Sequence, residues 1–194
     1  MSHMISKVPK SDNIRPKARE AIIEAAFQMF SRNRSATLAE IALKAGVGRA
    51  TLHRHFPGRD ALMVALAQTA MAELDAAVEQ AVMAAKSHAE GLRLAFEAIV
   101  PLAERQGFLA LEPLDSEPEL QEAYNQSRNE LTDSIREAQR EGALNKDLPE
   151  EWIAEAYDHL IYAAWAMVRD GEATPKQATE LGWRTFMGGV AAPV

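Results

Sequence analysis

The chain of 194 residues contains no cysteine. This absence excludes disulfide bonds, iron–sulfur clusters, thiolate-bound zinc and a thiol nucleophile. Aromatic residues make up only 6% of the chain. No apolar run approaches the ~18 residues that a membrane-spanning helix requires, and we see no signal peptide at the start of the sequence. From these absences we expect a cytoplasmic globular protein.

The composition that remains is typical of a globular chain, but its charge is unevenly distributed. Hydrophobic residues account for 47% and charged residues for 25%, with a net charge of −7. The first sixty residues carry a net charge of +6 and the remainder carries −13. Such asymmetry indicates an anion-binding module joined to an acidic body. Chance clustering of charge on a solvated face is the alternative.

Apolar periodicity and capping residues predict an all-α protein. No segment alternates apolar and polar residues as a strand does, and β-branched residues are sparse. Counting capping residues, the predicted helices are 16–32, 37–45, 49–56, 59–85, 87–104, 116–141, 150–169 and 175–187. Capping-box or similar start signals lie at Thr37, Ser87, Ser116 and Thr174, and Gly142 and Gly171 are expected to stop the helices that precede them. Residues 105–115, which include a glycine and a proline, are predicted to form a broken connector.

Residues 37–56 have the spacing of a helix-turn-helix. Two helices of about eight residues are separated by a turn in which Gly46 supplies the positive φ of a sharp bend. A small core is predicted from Ile41, Ala42, Val47, Leu52 and Phe56. An αα-hairpin with a glycine turn is common, so the prediction depends on the whole set of features within a basic segment.

The second short helix has an outward polar face. Its predicted members are Arg49, Ala50, Thr51, His53 and Arg54. Since a helix-turn-helix reads bases with the first part of its second helix, we expect Arg49 to contact a guanine edge and Thr51 a base edge or a phosphate. Thr37 and the amides that begin the first short helix suit a phosphate oxygen, and Arg59 can reach the DNA backbone. Simple solvation of these polar residues is the alternative.

Residues 15–65 resemble the TetR family of bacterial transcription regulators. The resemblance rests on Thr37, Ile41, Ala42, Ala45, Gly46, Val47, Thr51, Leu52, Phe56, Arg59 and Leu62. Two positions depart from the family pattern: His53 replaces a tyrosine that commonly touches a phosphate, and Gly48 replaces a frequent serine. Loss of the serine removes a side-chain N-cap, but replacing serine by glycine at this position lowers helix stability by only about a few tenths of a kcal/mol. Both departures leave the operator sequence open.

Residues 1–11 are polar and are expected to form a mobile arm, and their first four residues, Met-Ser-His-Met, look like a cloning remnant. The resemblance implies two domains and a function: 12–60 would be a helix-turn-helix DNA-binding domain and 61–194 a ligand-binding and dimerisation domain. The implied protein is a homodimeric, sequence-specific repressor, released from a palindromic operator by a small-molecule effector. The last two helices, 150–169 and 175–187, would form a four-helix bundle with the second subunit. The rival is a helical small-molecule-binding or enzymatic protein in which the helix-turn-helix is incidental.

The sequence gives less guidance on a ligand. A mostly apolar cavity with a few polar groups suits a hydrophobic or aromatic effector. The candidates for contacting it are Tyr124, His159, Tyr162 and Trp165, although aromatic residues at helical spacing are more often core. No catalytic or nucleotide-binding motif is present, and His53 and His55 diverge on a helix. We therefore expect no enzyme activity, cofactor or metal.

Overall fold

A computed structural model describes residues 14–111 and 118–193 of the chain. These residues form helices without any β-strand, which confirms the all-α prediction. The helices are α1 Ile14–Phe30, α2 Leu38–Lys44, α3 Arg49–His55, α4 Arg59–Val82, α5 His88–Ile99, α6 Ala103–Leu111, α7 Pro118–Arg140, α8 Glu150–Arg169 and α9 Pro175–Val190. The predicted arm 1–11 and the predicted helix start at Ser116 lie outside the described residues.

The chain divides into two compact units, the first ending at Leu66 and the second beginning at Ala67. Helix α4 passes through this boundary, and through the predicted domain end at residue 60, without a break. The described part of the first unit holds α1 to α3 and the start of α4 around an apolar core. Its fully buried larger side chains are Ile22, Phe27, Ile41, Leu52, Leu62 and Leu66. These are the inward positions of amphipathic helices, so burial of their stripes fixes the arrangement.

The second unit is built around α5, α7, α8 and α9. Its core includes Leu92, Phe96, Ile135, Leu144, Ile153, Tyr157, Ile161 and Phe186. The Phe96 ring lies edge-on to Tyr157, with 5.4 Å between ring centres. Helix ends follow the predicted signals: Thr174 makes a capping box with Gln177 at the start of α9, and Gly142 and Gly171 adopt positive φ after α7 and α8.

The prediction of a broken connector over 105–115 is wrong for its first part, because α6 continues to Leu111. Gly107 does not stop the helix. A Cβ at this position would lie 3.0 Å from the Trp165 ring, so the glycine allows α6 to approach α8 closely. Phe108 and Leu109 are buried in the same helix, and their burial outweighs the low helix propensity of glycine. Helix α9 also extends three residues beyond its predicted end, through Gly188 and Gly189.

Helix α4 also qualifies the expectation about membrane segments. An 18-residue window within Arg59–Val82 has a mean hydropathy of 1.4 and is long and apolar enough to cross a membrane by these measures alone. Within the protein, 39% of that window is buried. A core helix of a soluble protein passes the same test, so this is weak evidence for a membrane span.

Candidate functional sites

The helix-turn-helix begins with a complete capping box at Thr37. The Thr37 side chain accepts a hydrogen bond from the Glu40 amide, while the Glu40 carboxylate accepts from the Thr37 amide at 2.8 Å. The same carboxylate accepts from the Thr37 hydroxyl at 2.7 Å, and these bonds lower the pKa of Glu40. Thr37, predicted to contact a phosphate, is thus already engaged in fixing the start of α2.

The turn between α2 and α3 has the predicted geometry. Gly46 has a φ of +69°, and the amide of Val47 donates to the Ala42 carbonyl at 2.9 Å. Gly48 caps α3 in an extended conformation without a side-chain hydrogen bond. Leu52 and Phe56 are buried beneath α3, so the side of the helix that bears Arg49 faces outward.

The outward face of α3 carries most of the predicted DNA contacts. Arg49, Ala50, His53 and Arg54 are exposed, and Thr51 is half-buried. The guanidinium of Arg54 donates to the Thr51 hydroxyl at 3.0 Å, which aligns two polar groups along one side of the helix. Within the described residues, no carboxylate forms an ion pair with Arg49 or Arg54. Their positive charges therefore remain available to an anionic partner.

Arg59 has a role inside the first unit that the sequence did not reveal. Its Nη1 donates to the Ala36 carbonyl at 2.7 Å and its Nη2 donates to the Arg34 carbonyl at 2.6 Å. The guanidinium also lies over the Phe30 ring. Since both terminal nitrogens hold backbone carbonyls, Arg59 positions the segment that leads into α2.

A cavity of about 920 Å³ lies in the second unit, between α4, α5 and α7, with α8 contributing to its wall. Helix α4 lines it with one continuous face: Met71, Leu74, Asp75, Val78, Glu79 and Val82. This spacing of three and four residues is the signature of a single helical stripe. The opposite wall on α7 includes Tyr124, Ser127, Arg128 and Leu131. The cavity wall therefore combines apolar side chains with polar and charged ones, which suits a small organic molecule that has both apolar and polar parts.

Carboxylates outnumber basic groups on the cavity wall. The acidic residues are Asp75, Glu79, Glu130, Glu141 and Asp158; the basic ones are Lys86 and Arg128, together with His88. Arg128 donates to Asp158 at 2.6 Å and to Glu155, outside the cavity, at 2.5 Å. Burial raises the pKa of Asp158 despite the opposing effect of Arg128.

Two further contacts fix the cavity wall. The Tyr157 hydroxyl donates to the Leu92 carbonyl at 2.7 Å, and burial raises the pKa of this phenol well above its usual value. At one end, the amide of His88 donates to the Glu141 carboxylate at 3.0 Å. The His88 Nδ1 also contacts that carboxylate, and these bonds lower the pKa of Glu141. They hold the start of α5 against the residue that follows α7.

The predicted ligand contacts divide into two groups. Tyr124 lines the cavity, whereas His159, Tyr162 and Trp165 do not. His159 and Tyr162 lie on the exposed side of α8, and Trp165 is buried with its ring against Gly107. Trp165 belongs to the apolar core, and its indole N–H has no hydrogen-bond partner among the described residues.

The cavity carboxylates were missed by sequence reasoning. Asp75 and Asp158 each follow an inward apolar residue, Leu74 and Tyr157, so each lies at the edge of a buried stripe. A carboxylate beside an inward apolar residue was the signal that the sequence offered. The two carboxylates line a common cavity only after the helices have packed together. Among the described residues, no group of three or more histidines, aspartates or glutamates is arranged to hold a metal ion.

Comparison with known proteins identifies relatives of this chain. The family model described as bacterial regulatory proteins, tetR family, matches residues 22–66. The HTH-type transcriptional repressor LfrR of Mycolicibacterium smegmatis is 29% identical over 158 residues, which span 81% of this chain and 82% of LfrR.

Solved structures extend the likeness over most of the chain. The TetR-like regulator LfrR from Mycobacterium smegmatis in complex with proflavine has a TM-score of 0.76 at 26% identity, covering 91% of this chain and 97% of that one. The ketosteroid transcriptional regulator KstR2 of Mycobacterium tuberculosis has a TM-score of 0.74 at 21% identity, covering 90% and 95% respectively. The second likeness concerns the fold alone.

Proposed function

This chain belongs to the TetR family of bacterial regulatory proteins and is a DNA-binding transcriptional regulator, and on that premise we propose that it represses transcription until a small molecule occupies the cavity of its second unit. The observation that carries the DNA-binding part is the outward face of α3, where Arg49 and Arg54 are free of carboxylate partners among the described residues. The first part of such a helix enters the major groove.

We assign distinct roles to the residues of this interface. Arg49 would donate two hydrogen bonds to a guanine edge, and Thr51 and Ala50 would approach neighbouring bases. His53, Arg54 and the start of α2 at Thr37 would contact phosphates, which fixes the register of α3 without reading sequence. Arg59 would act mainly through the carbonyls it holds, so that the start of α2 presents its amides in one orientation.

The DNA-binding proposal is tested by binding of the purified protein to duplex from the region that flanks its own coding sequence. Affinity is measured at two salt concentrations with random duplex as competitor. Binding that resists the competitor and weakens steeply with salt supports a specific operator contact, because neutralised phosphates release counterions. If selection from genomic fragments also yields no preferred duplex, the rival of a helical small-molecule-binding or enzymatic protein is favoured.

We further propose a homodimer formed by the exposed sides of α8 and α9. Tyr162 and Leu181 are large apolar residues that remain 37% and 40% exposed there. On α9, Gly188 is exposed and a Cβ at this position would meet no atom within 4 Å. Two such faces give the self-complementary contact of a two-fold dimer, and that symmetry matches a palindromic operator.

The dimer is tested by light scattering after size-exclusion chromatography. Gly188→Arg places a long charged side chain on the proposed interface and should give monomers. Gly58→Arg is the matched control, since Gly58 also faces open space but belongs to the other unit. A Gly188→Arg variant that stays dimeric while folded would place the interface elsewhere.

Effector control would act through α4, which begins at Arg59 in the first unit and lines the cavity from Met71 to Val82. An effector that prefers one position of α4 shifts the population of dimers whose recognition helices match grooves ~34–36 Å apart. The relative LfrR has been solved with proflavine, so proflavine is a suitable first probe of binding and of release from the operator. A DNA-bound regulator of this kind would work in the cytoplasm.

A further inference from the structure

We propose that the effector cavity takes an organic cation and that the carboxylate of Asp75 pairs with its positive charge. This inference rests on the proposed effector role of the cavity and adds the charge of the ligand and the residue that recognises it. Asp75 lies on the same face of α4 as Met71, Leu74 and Val78, at the cavity wall.

Asp75 is one of three acidic groups of the wall, together with Glu79 and Glu130, that form no ion pair among the described residues. Of these three, Asp75 is the one in the described part of the chain that accepts a side-chain hydrogen bond from another helix. It accepts a hydrogen bond from the Ser127 hydroxyl at 3.3 Å. Within the described residues, no lysine, arginine or histidine lies in ion-pair contact with it. By contrast, Asp158 is paired with Arg128 and Glu141 with His88. Asp75 is therefore able to accept an external cation without breaking an ion pair of the protein.

The electrostatic surroundings of Asp75 favour a positive ligand. Asp75 remains exposed, but desolvation by the neighbouring helices still raises the pKa of its carboxyl group, the Ser127 hydrogen bond opposes this effect, and the negative charge of nearby Glu130 adds to it. A neutral ligand seated beside Asp75 would remove more water from the carboxylate without replacing its hydration, which is unfavourable. A cation offsets that desolvation by direct charge pairing, and an anion would add repulsion to it.

The rest of the wall defines the kind of cation. Met71, Leu74 and Val78 give an apolar surface next to Asp75, and Tyr124 of α7 also lines the cavity. The face of a tyrosine ring attracts a delocalised cation. A volume of about 920 Å³ accommodates a molecule of several rings. These features together specify an amphipathic organic cation with a broad apolar body.

A matched pair of probes isolates the charge. N-methylacridinium is a permanent cation, and N-methylacridone is a neutral molecule of nearly the same shape. Calorimetric titration of the full chain with each probe gives two affinities, and their ratio is the measured preference for charge. The titrations are repeated with Asp75→Asn, and with Glu122→Gln as a control that removes one carboxylate of α7 outside the cavity.

We expect the ratio to favour the cation and to fall about tenfold in Asp75→Asn, while Glu122→Gln leaves it unchanged. Binding of the cation should also weaken with added salt more than binding of the neutral probe. Thermal unfolding of Asp75→Asn is also measured, because the asparagine Oδ1 can still accept from Ser127 and the variant should therefore unfold at a temperature close to that of the wild-type protein.

Three results would overturn the inference, and they differ in what they say about the cavity. If both probes bind equally well, the cavity remains an effector site but does not select charge. If Asp75→Asn preserves the preference, another carboxylate recognises the cation. If neither probe binds to the wild-type protein, the proposed effector role of the cavity is contradicted together with the charge preference that rests on it.

Discussion

The guanidinium of Arg59 lies 4.7 Å from the centre of the Phe30 ring, so the first residue of α4 packs against the last residue of α1. The same guanidinium holds the carbonyls of Arg34 and Ala36, on the segment that leads into α2. A basic residue in the positively charged part of the chain is thus used to assemble the DNA-binding unit. Its charge alone, read from the sequence, indicated only a phosphate contact.

Substitution of Arg59 tests this positioning role. Arg59→Ala removes two charge-assisted hydrogen bonds and a cation–π contact, and we expect a loss of about 1–2 kcal/mol in the free energy of unfolding. Arg59→Lys keeps the charge but not the two-pronged geometry and should recover only part of the loss. Urea unfolding measures both variants. A purely phosphate-binding Arg59 would instead give Arg59→Ala a normal stability and a weakened affinity for DNA.

Arg49 should behave in the opposite way. Because Arg49 is exposed on α3 and no ion pair holds it among the described residues, Arg49→Ala should leave the unfolding free energy unchanged. We expect operator affinity to fall by about 1–3 kcal/mol, with relaxed specificity at one base position. Arg32→Ala, which removes a charge from an exposed site beyond α1, is the control for general electrostatics. Equal losses in the two variants would argue against base recognition.

Local signals in the sequence were sufficient for most helix boundaries. The capping boxes at Thr37 and Thr174 and the positive φ of Gly46, Gly142 and Gly171 depend on neighbouring residues only, and the structure has all of them. Helix α6 was missed because Gly107 is explained by a tertiary contact: the absence of a side chain lets α6 pack closely against the Trp165 ring. A contact between residues far apart in sequence leaves no trace in local periodicity.

The candidate sites follow the same division. The outward face of α3 could be deduced from one helix and its turn, since inward Leu52 and Phe56 determine which residues point away. The cavity is formed by residues of several helices, and of the four predicted contacts only Tyr124 lines it. Asp75 and Asp158 line the same cavity only because α4 and α8 pack together, and this packing cannot be read from a single sequence.

Gly46 offers a test of the turn. Its φ of +69° is a conformation that residues with a Cβ rarely adopt, and no neighbouring atom obstructs the site. Gly46→Ala should therefore destabilise the first unit by about 1 kcal/mol through backbone strain alone. Gly48→Ala, two residues later, has ordinary φ and open space and should have little effect. Similar unfolding midpoints for the two variants would show that the turn is not strained by a side chain.

Gly182 tests close packing in the second unit. A Cβ at this position would lie 2.7 Å from the Phe96 ring, so Gly182→Ala must displace a buried aromatic side chain. We expect a loss of about 1–3 kcal/mol in thermal or urea unfolding. Gly91→Ala, in α5 of the same unit, would place a Cβ 3.7 Å from the Ala85 side chain, which is an ordinary contact, and should be neutral or slightly stabilising because alanine favours helix. A tolerated Gly182→Ala would mean that Phe96 has room to move.

The contact between His88 and Glu141 predicts a pH dependence with a definite sign. Hydrogen bonds from the His88 ring and amide hold the pKa of Glu141 below its usual value. The folded state therefore binds this proton less readily than the unfolded chain, so the stabilisation is present at neutral pH and fades as pH falls below about 4.5.

His88→Ala should raise the pKa of Glu141 only partly, because the backbone amide at position 88 still donates. Carboxyl NMR titration measures this shift directly. Glu40, whose low pKa depends on Thr37 in the other unit, should titrate identically in both proteins, and an unmoved Glu141 would assign its low pKa to backbone amides alone.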